Sequence, residues 1–278
     1  MEKIPREIAI IRNLEPPNRV AERLPNLWVS DYDETQFHTI KEKPASDIGV
    51  NEAYKKAIEN LFGRQTLQRY VDSGEHQGRT PAEIVHDLEP DIPPEELPAH
   101  SQRLIRIKVD TLLDQVGTKL EDGTRWPRPT TGFMSFMVDV EMLKEEDPDT
   151  LTTAIVSAGH AEFILKTYDL YGIAHPDILV TDDVMQEGWP HLSPVERAKP
   201  SRLPMDVVRS AWAESNPNGS LHRFNVIYTG DDQLKDGQLA FNSGVDFVHV
   251  GETPDMQATA WATVAQRLQL GTVGSVHA

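Results

Sequence analysis

The residues best equipped for chemistry in this 278-residue chain are carboxylates that follow short apolar runs. "LWVSDYDET" carries Asp31 and Asp33 one residue apart, with Thr35 two further on. "TTAIVSAG" ends on Ser157, Ala158 and Gly159, and "ERAKP" places Lys199 before a proline. "VIYTGDDQLKD" sets Gly230, Asp231, Asp232 and Asp236 in one stretch. Moving a phosphoryl group through an aspartyl intermediate asks for such a set. An ionised carboxylate attacks phosphorus, and a second carboxylic acid protonates the leaving oxygen and later activates water. Neutral donors and a fixed lysine hold the equatorial oxygens as charge spreads. Nucleophile and substrate are both anionic, so a cation must bridge them, and Mg²⁺ accepts carboxylate, carbonyl, water and phosphate oxygens. Asp31, Asp33, Ser157, Lys199 and Asp231 or Asp232 cover those roles.

Such groups act together only if the fold brings them to one place. Residues 152–156, 177–181, 224–229 and 246–250 are short apolar runs rich in β-branched and aromatic residues, which read as buried strands. Helical segments separate them. Ile164, Thr167, Tyr168 and Tyr171 form a stripe at helical spacing, Pro204 opens a second helix, and Pro254 precedes a third with Trp261, Val264 and Leu268 on one face. This alternation predicts an α/β, Rossmann-like parallel sheet with helices on both faces. In such sheets ligands bind beyond the carboxyl ends of the strands, which is where the carboxylates lie. From about residue 50 to 120 the pattern is purely helical, with Ile105, Val109, Leu112 and Val116 as one stripe and proline-rich breaks between segments. "RWPRPTTGFMSFMVDVEMLKEE" then reads as a turn and a helix leading back to the sheet. The expected division is a discontinuous core of residues 1–45 and 125–278 and an inserted helical domain at 46–124. Residues 1–25 carry only a weak helical signal.

In their order along the chain, the four motifs resemble those of the haloacid dehalogenase-like superfamily. Its D-x-D-x-T, strand-terminal Ser or Thr, Lys-Pro and G-D motifs are matched by "LWVSDYDET", "TTAIVSAG", "AKP" and "VIYTGDDQLKD". The resemblance implies Asp31 as nucleophile and magnesium ligand. It makes Asp33 the general acid/base, with its carbonyl on the metal, and gives Thr35 the turn to stabilise. Ser157 and the N–H of Ala158 would hold phosphate oxygens, and Lys199 would neutralise Asp31 and the phosphate. Asp231 or Asp232 would ligate the metal directly, the doublet leaving open which, with Asp236 anchoring the metal's waters or Lys199. Members without the second aspartate of the first motif include dehalogenases, so Asp33 points to a phosphatase, a phosphoric monoester hydrolase. Between Asp31 and Ser157 lie 125 residues, against 41 between Ser157 and Lys199. The insertion therefore falls where the family's helical caps sit.

Composition narrows the partners. Asp and Glu number 44 against 27 Lys and Arg, a formal charge of −17, and no basic block appears. Such a chain repels phosphate backbones, so general nucleic-acid binding is not expected, whereas a small phosphorylated substrate remains compatible with a bound metal and a lysine. The absence of cysteine excludes disulfides, thiolate zinc sites and cysteine nucleophiles, and accords with a cytoplasmic location. No apolar run approaches the ~20 residues that span a bilayer, and the scattered charges of "MEKIPREIAIIRNLEPP" argue against a signal peptide. His38 and His160 are read as structural or solvent-facing, and Trp126 and Trp189 as packing. Two other functions use similar residues: a D-x-D glycosyltransferase, which would not need Lys199 or the late aspartates, and a non-catalytic magnesium- or partner-binding scaffold of the same fold.

Overall fold

The computed structural model describes residues 10–11, 26–40, 48–74, 79–215 and 225–270. Apart from Ile10–Ile11, the weak helical signal of residues 1–25 lies outside them. The chain divides into two compact units, Met1–His38 with Arg128–Ala278, and Thr39–Pro127. In chain order the elements begin with β1 (Ile10–Ile11), β2 (Asn26–Ser30), β3 (Phe37–His38), α1 (Val50–Phe62), α2 (Arg64–Ser73), α3 (Pro81–Leu88) and α4 (Leu97–Gln115). They continue with β4 (Arg128–Pro129), α5 (Phe133–Glu146), β5 (Leu151–Val156), α6 (Ala161–Tyr171), β6 (Ile178–Val180), α7 (Asp182–Gly188), α8 (Pro194–Arg197) and α9 (Leu203–Ser215). The last are β7 (Asn225–Gly230), a π-turn at Gln233–Gly237, α10 (Gln238–Ser243), β8 (Asp246–His249) and α11 (Pro254–Arg267).

The first unit is an α/β, Rossmann-like fold. Its six-stranded sheet has the order β1-β6-β5-β2-β7-β8, and β6 through β8 in that list run parallel, with β1 antiparallel on the β6 edge. The antiparallel edge departs from the all-parallel expectation. A two-residue strand paired as Ile10↔Leu179 and Ile11↔Ile178 leaves no local pattern to read. Alternation along each strand sorts side chains between faces. Leu27, Val29, Ala154, Val156, Ile178, Val180 and Tyr228 join residues of α7, α9 and α10 in one buried cluster. On the other face Trp28 meets Phe136 of α5 edge-on at 4.8 Å and Trp261 of α11 at 6.1 Å. Its indole donates to Thr229 Oγ1 at 3.1 Å, so the polar tip of the ring is satisfied. Ile164, Thr167 and Tyr168 of α6 are buried as their spacing predicts, and Tyr171 packs on Phe37 at 5.4 Å.

The described residues of the second unit form helices α1 to α4, packed around Ala57, Ile58, Ile84, Val85, Leu88 and Leu104, with one β-bridge between Lys119 and Arg125. The face of α4 that is buried differs from the predicted stripe: it carries Ser101, Leu104, Lys108, Val109, Leu112 and Gln115, while Ile105 and Val116 are half-buried. Three polar side chains hold places there because their polar atoms are satisfied, Ser101 by donating to the Leu97 carbonyl at 2.7 Å. Lys108 lays its ammonium over the Tyr54 ring at 4.4 Å, and Gln115 accepts the Gly49 N–H at 3.0 Å. Trp126 is buried and Trp189 packs against the sheet cluster. No described helix is long and apolar enough to cross a membrane.

Candidate active site

Parallel pairing makes the strands of the first unit end together. Ser30 stands opposite Ile155 on one side and Thr229 on the other, so the residues after β2, β5 and β7 emerge at one edge. The backbone carries this register one step further: the Asp31 N–H donates to the Thr229 carbonyl at 2.8 Å, and the Ser157 N–H to the Val180 carbonyl at 3.0 Å. Asp31, Ser157 and Asp231 are thereby gathered without any contribution from their own side chains.

After β2 the chain turns sharply. Glu34 adopts a left-handed φ of 57°, unusual for a residue with a side chain, and its N–H donates to the Phe37 carbonyl at 2.8 Å. Phe37 and His38 then pair with Pro129 and Arg128 in a small antiparallel ladder, and Thr130 donates its hydroxyl to the Thr35 carbonyl at 2.8 Å. Thr35 is fully buried and donates to Asp231 Oδ1 at 3.4 Å, so it joins the first motif to the fourth as well as sitting in the turn. His38 lies 3.2 Å from Glu34 Oε2 and 3.4 Å from the Gln257 side chain, an arrangement that bolts the turn to α11.

Lys199 is the pivot. Its ammonium, only 8 % exposed, lies 2.8 Å from Asp31 Oδ1 and 2.7 Å from Asp236 Oδ1. Asp236 is completely buried; its Oδ2 accepts the Asp232 N–H at 3.1 Å, and its Oδ1 also accepts from Tyr228 at 3.1 Å. Its place is bought by Gly230. A Cβ on Gly230 would fall 2.4 Å from Asp236 Cβ, Cγ and Oδ2, so only glycine leaves room for this carboxylate. The π-turn that starts at Gln233 aims Asp236 back at the strand end, with both the Asp236 and Gly237 N–H groups on the Asp232 carbonyl.

Carboxylate oxygens of Asp31, Asp231 and Asp236 lie within 4.8 Å of one another. Asp232 is not in this group. Its carboxylate accepts the N–H groups of Leu234 and Lys235 at 2.9 and 3.1 Å and caps the π-turn, so of the doublet it is Asp231 that faces Asp31. Asp33 is half-buried, near enough to Asp31 for its charge to act there. A Cβ on Gly159 would meet Ser157 Oγ at 3.1 Å and Asp33 Oδ2 at 3.4 Å, which places that acid and that hydroxyl around the same glycine. Ser157 Oγ accepts the Gly159 N–H at 2.9 Å, so its own proton is left to donate, and Ala158 beside it is exposed. His160 precedes α6 as its N-terminal flanking residue and makes no side-chain cap there.

The charges are strongly coupled. Burial pushes the Asp31 carboxyl well above the usual carboxylate range; Lys199 opposes this, and the charges of Asp236 and Asp33 add to it. Burial alone would discharge Lys199, but the carboxylates of Asp31 and Asp236 outweigh it and hold the ammonium well above its ordinary value. Burial raises the Tyr228 phenol too, so Tyr228 is a donor at any ordinary pH. With four carboxylates near one ammonium, the site favours a further cation, and all-oxygen donors suit a hard divalent ion such as magnesium. Asp31, Asp231 and Asp236 could hold it, and both oxygens of Asp236 already accept hydrogen bonds.

Tyr228, Gln257 and His249, whose Nε2 lies 2.9 Å from the Asp231 carbonyl, escape a reading of motifs because each sits inside an ordinary apolar or helical pattern. No protein-family model matches the chain, and no curated protein matches it. Solved structures do. A haloacid dehalogenase-like hydrolase from Bacteroides fragilis is 16 % identical over 85 % of this chain and 93 % of its own, with a TM-score of 0.46. CbbY from Rhodobacter sphaeroides, in complex with phosphate, is 11 % identical over 83 % and 88 %, TM-score 0.46. The L-2-haloacid dehalogenase from Xanthobacter autotrophicus is 14 % identical over 81 % and 77 %, TM-score 0.36.

Proposed function

We propose that the chain is a magnesium-dependent phosphatase that hydrolyses a small phosphorylated metabolite through an aspartyl-phosphate on Asp31. The observation that carries this reading is Lys199, bridged between Asp31 and the buried Asp236 beside Asp231. A lysine so placed neutralises a carboxylate that must approach an anion. The Asp31 carboxylate attacks phosphorus and the bond from phosphorus to the ester oxygen breaks, with Asp33 giving its proton to that oxygen. Asp33 then takes a proton from water, the resulting hydroxide displaces Asp31, and inorganic phosphate leaves with the Asp31 carboxylate restored. Ser157 and the N–H of Ala158 donate to the equatorial oxygens while Lys199 balances their charge. A magnesium ion held by the carboxylates of Asp31 and Asp231 and the carbonyl of Asp33 would supply the positive charge that lets nucleophile and phosphate meet.

Asp33 favours phosphate over carbon–halogen chemistry, because a departing halide needs no proton while a departing alkoxide does. The machinery named here would accept any phosphate ester, so the helical unit Thr39–Pro127 is the part we assign to substrate selection. The test is release of inorganic phosphate from a generic aryl phosphate and a panel of sugar and nucleotide monophosphates, with Mg²⁺ and with EDTA. Turnover should require the metal and fall by at least about 10⁴-fold in Asp31→Asn, and by about 10²–10⁴-fold in Asp33→Asn. Turnover of a 2-haloacid with the phosphate panel untouched would overturn the reading, as would phosphate release unchanged in Asp31→Asn.

A further inference from the structure

We propose that Tyr228 is a positioning residue that sets how Lys199 divides its charge between Asp236 and Asp31; this rests on the phosphatase reading. Tyr228 lies in the middle of β7 with its side chain fully buried. Its hydroxyl is 3.1 Å from Asp236 Oδ1 and 3.5 Å from the Val156 carbonyl. Strand β2 separates β7 from β5, so the phenol reaches past the strand that carries Asp31 to the residue before Ser157. The hydroxyl therefore sits among the ends of all three strands that deliver the site.

Asp236 Oδ1 accepts from two donors, a neutral phenol and the Lys199 ammonium at 2.7 Å. A buried carboxylate that loses a neutral donor leans harder on the charged one that remains. Without the Tyr228 proton, Asp236 draws Lys199 toward itself and away from Asp31, 2.8 Å on its other side. The phosphate and the nucleophile then lose part of the positive charge that brings them together. The hydroxyl bonds Asp236 and the Val156 carbonyl, so in this role Tyr228 acts through Asp236 on Lys199. Its ring packs against Phe247 at 6.4 Å, a contact that phenylalanine retains.

The experiment compares Tyr228→Phe, Asp236→Asn and the double variant as full chains, with an aryl phosphate and saturating Mg²⁺. Tyr228→Phe should melt within a few degrees of the wild type and lose about tenfold in kcat, with KM changed by less than about twofold. In the Asp236→Asn background the same change should cost nothing further, because the group through which Tyr228 acts is gone. Multiplying losses in the double variant would overturn the proposal, since the hydroxyl would then act by another route. So would a Tyr228→Phe chain that fails to fold, which would give the hydroxyl to the core. An active wild type with an equally active Tyr228→Phe overturns the positioning role alone, whereas an inert wild type removes the phosphatase reading and this role with it.

Discussion

Gly230 shows how little freedom a single position retains in this site. The residue is not strained; it is narrow because Asp236 occupies the volume a side chain would take, at 2.4 Å. Gly230→Ala must move either the end of β7 or the Asp236 carboxylate, and the second is softer. Overpacking of this kind costs about 1–3 kcal/mol of stability. A displacement of about 1 Å in a positioned group removes about 10²-fold in rate. Gly230→Ala should thus unfold at modestly lower denaturant yet lose at least ~100-fold in phosphate release, and an alanine variant with full activity would show that Asp236 does not position Lys199. The sequence motif shows a glycine before two aspartates; the reason for the glycine lies with Asp236, six residues on, which only the fold brings against it. The same holds for the doublet. Asp231 and Asp232 are indistinguishable by type and spacing, and are separated only by which carboxylate the π-turn's N–H groups capture.

Elements were legible in proportion to how local their signal is. Strands β2, β5, β6, β7 and β8 announce themselves as apolar runs, and α6 and α11 by their stripes, because both faces or one face must be buried wherever the sheet sits. Strand β1 and the β3–β4 ladder are two residues each and exist through partners more than 80 residues away, so no window of sequence holds them. Phe37 and His38, which come just after the first motif, form one strand of that ladder, a structural task the motif could not disclose. The buried face of α4 keeps Val109 and Leu112 but departs from the apolar stripe elsewhere, because Lys108 and Gln115 are buried through a ring face and a backbone N–H. Helix α3 offers an element-scale test. Thr80 accepts the Glu83 N–H, while Glu83 accepts the Thr80 N–H and hydroxyl at 2.7 and 2.8 Å. Those bonds lower the Glu83 pKa from its ordinary 4.5. A carboxyl lowered on folding contributes stability above its unfolded pKa and loses it as pH falls through the folded one. Thr80→Ala should therefore cost about 1 kcal/mol in urea unfolding at pH 7. The difference should shrink below pH 4.5, as Glu83 becomes protonated and gives up its half of the box. A cost independent of pH would show that the Glu83 half of the box contributes nothing.

At the scale of the whole chain, the formal charge of −17 acts on the two small charged species in the proposed reaction with opposite sign. The negative field gathers divalent cations toward the acidic site and holds phosphate esters away from it. Monovalent salt screens both effects, since the Debye length falls from about 30 Å at ~0.01 M to about 8 Å at ~0.15 M. Raising NaCl over that range should increase the Mg²⁺ concentration needed for half-maximal rate and, at saturating Mg²⁺, lower KM for the phosphate ester. Each shift should be a few-fold, because long-range charge sets local concentration and leaves the buried contacts of Lys199 with Asp31 and Asp236 nearly unscreened. For the same reason kcat at saturation should stay nearly constant across the series. Parallel movement of the two constants would mean that salt acts on the site itself, through competition for the carboxylates or displacement of Lys199. Opposed movement with a constant kcat would place the charge of the chain in delivery and the paired carboxylates in chemistry.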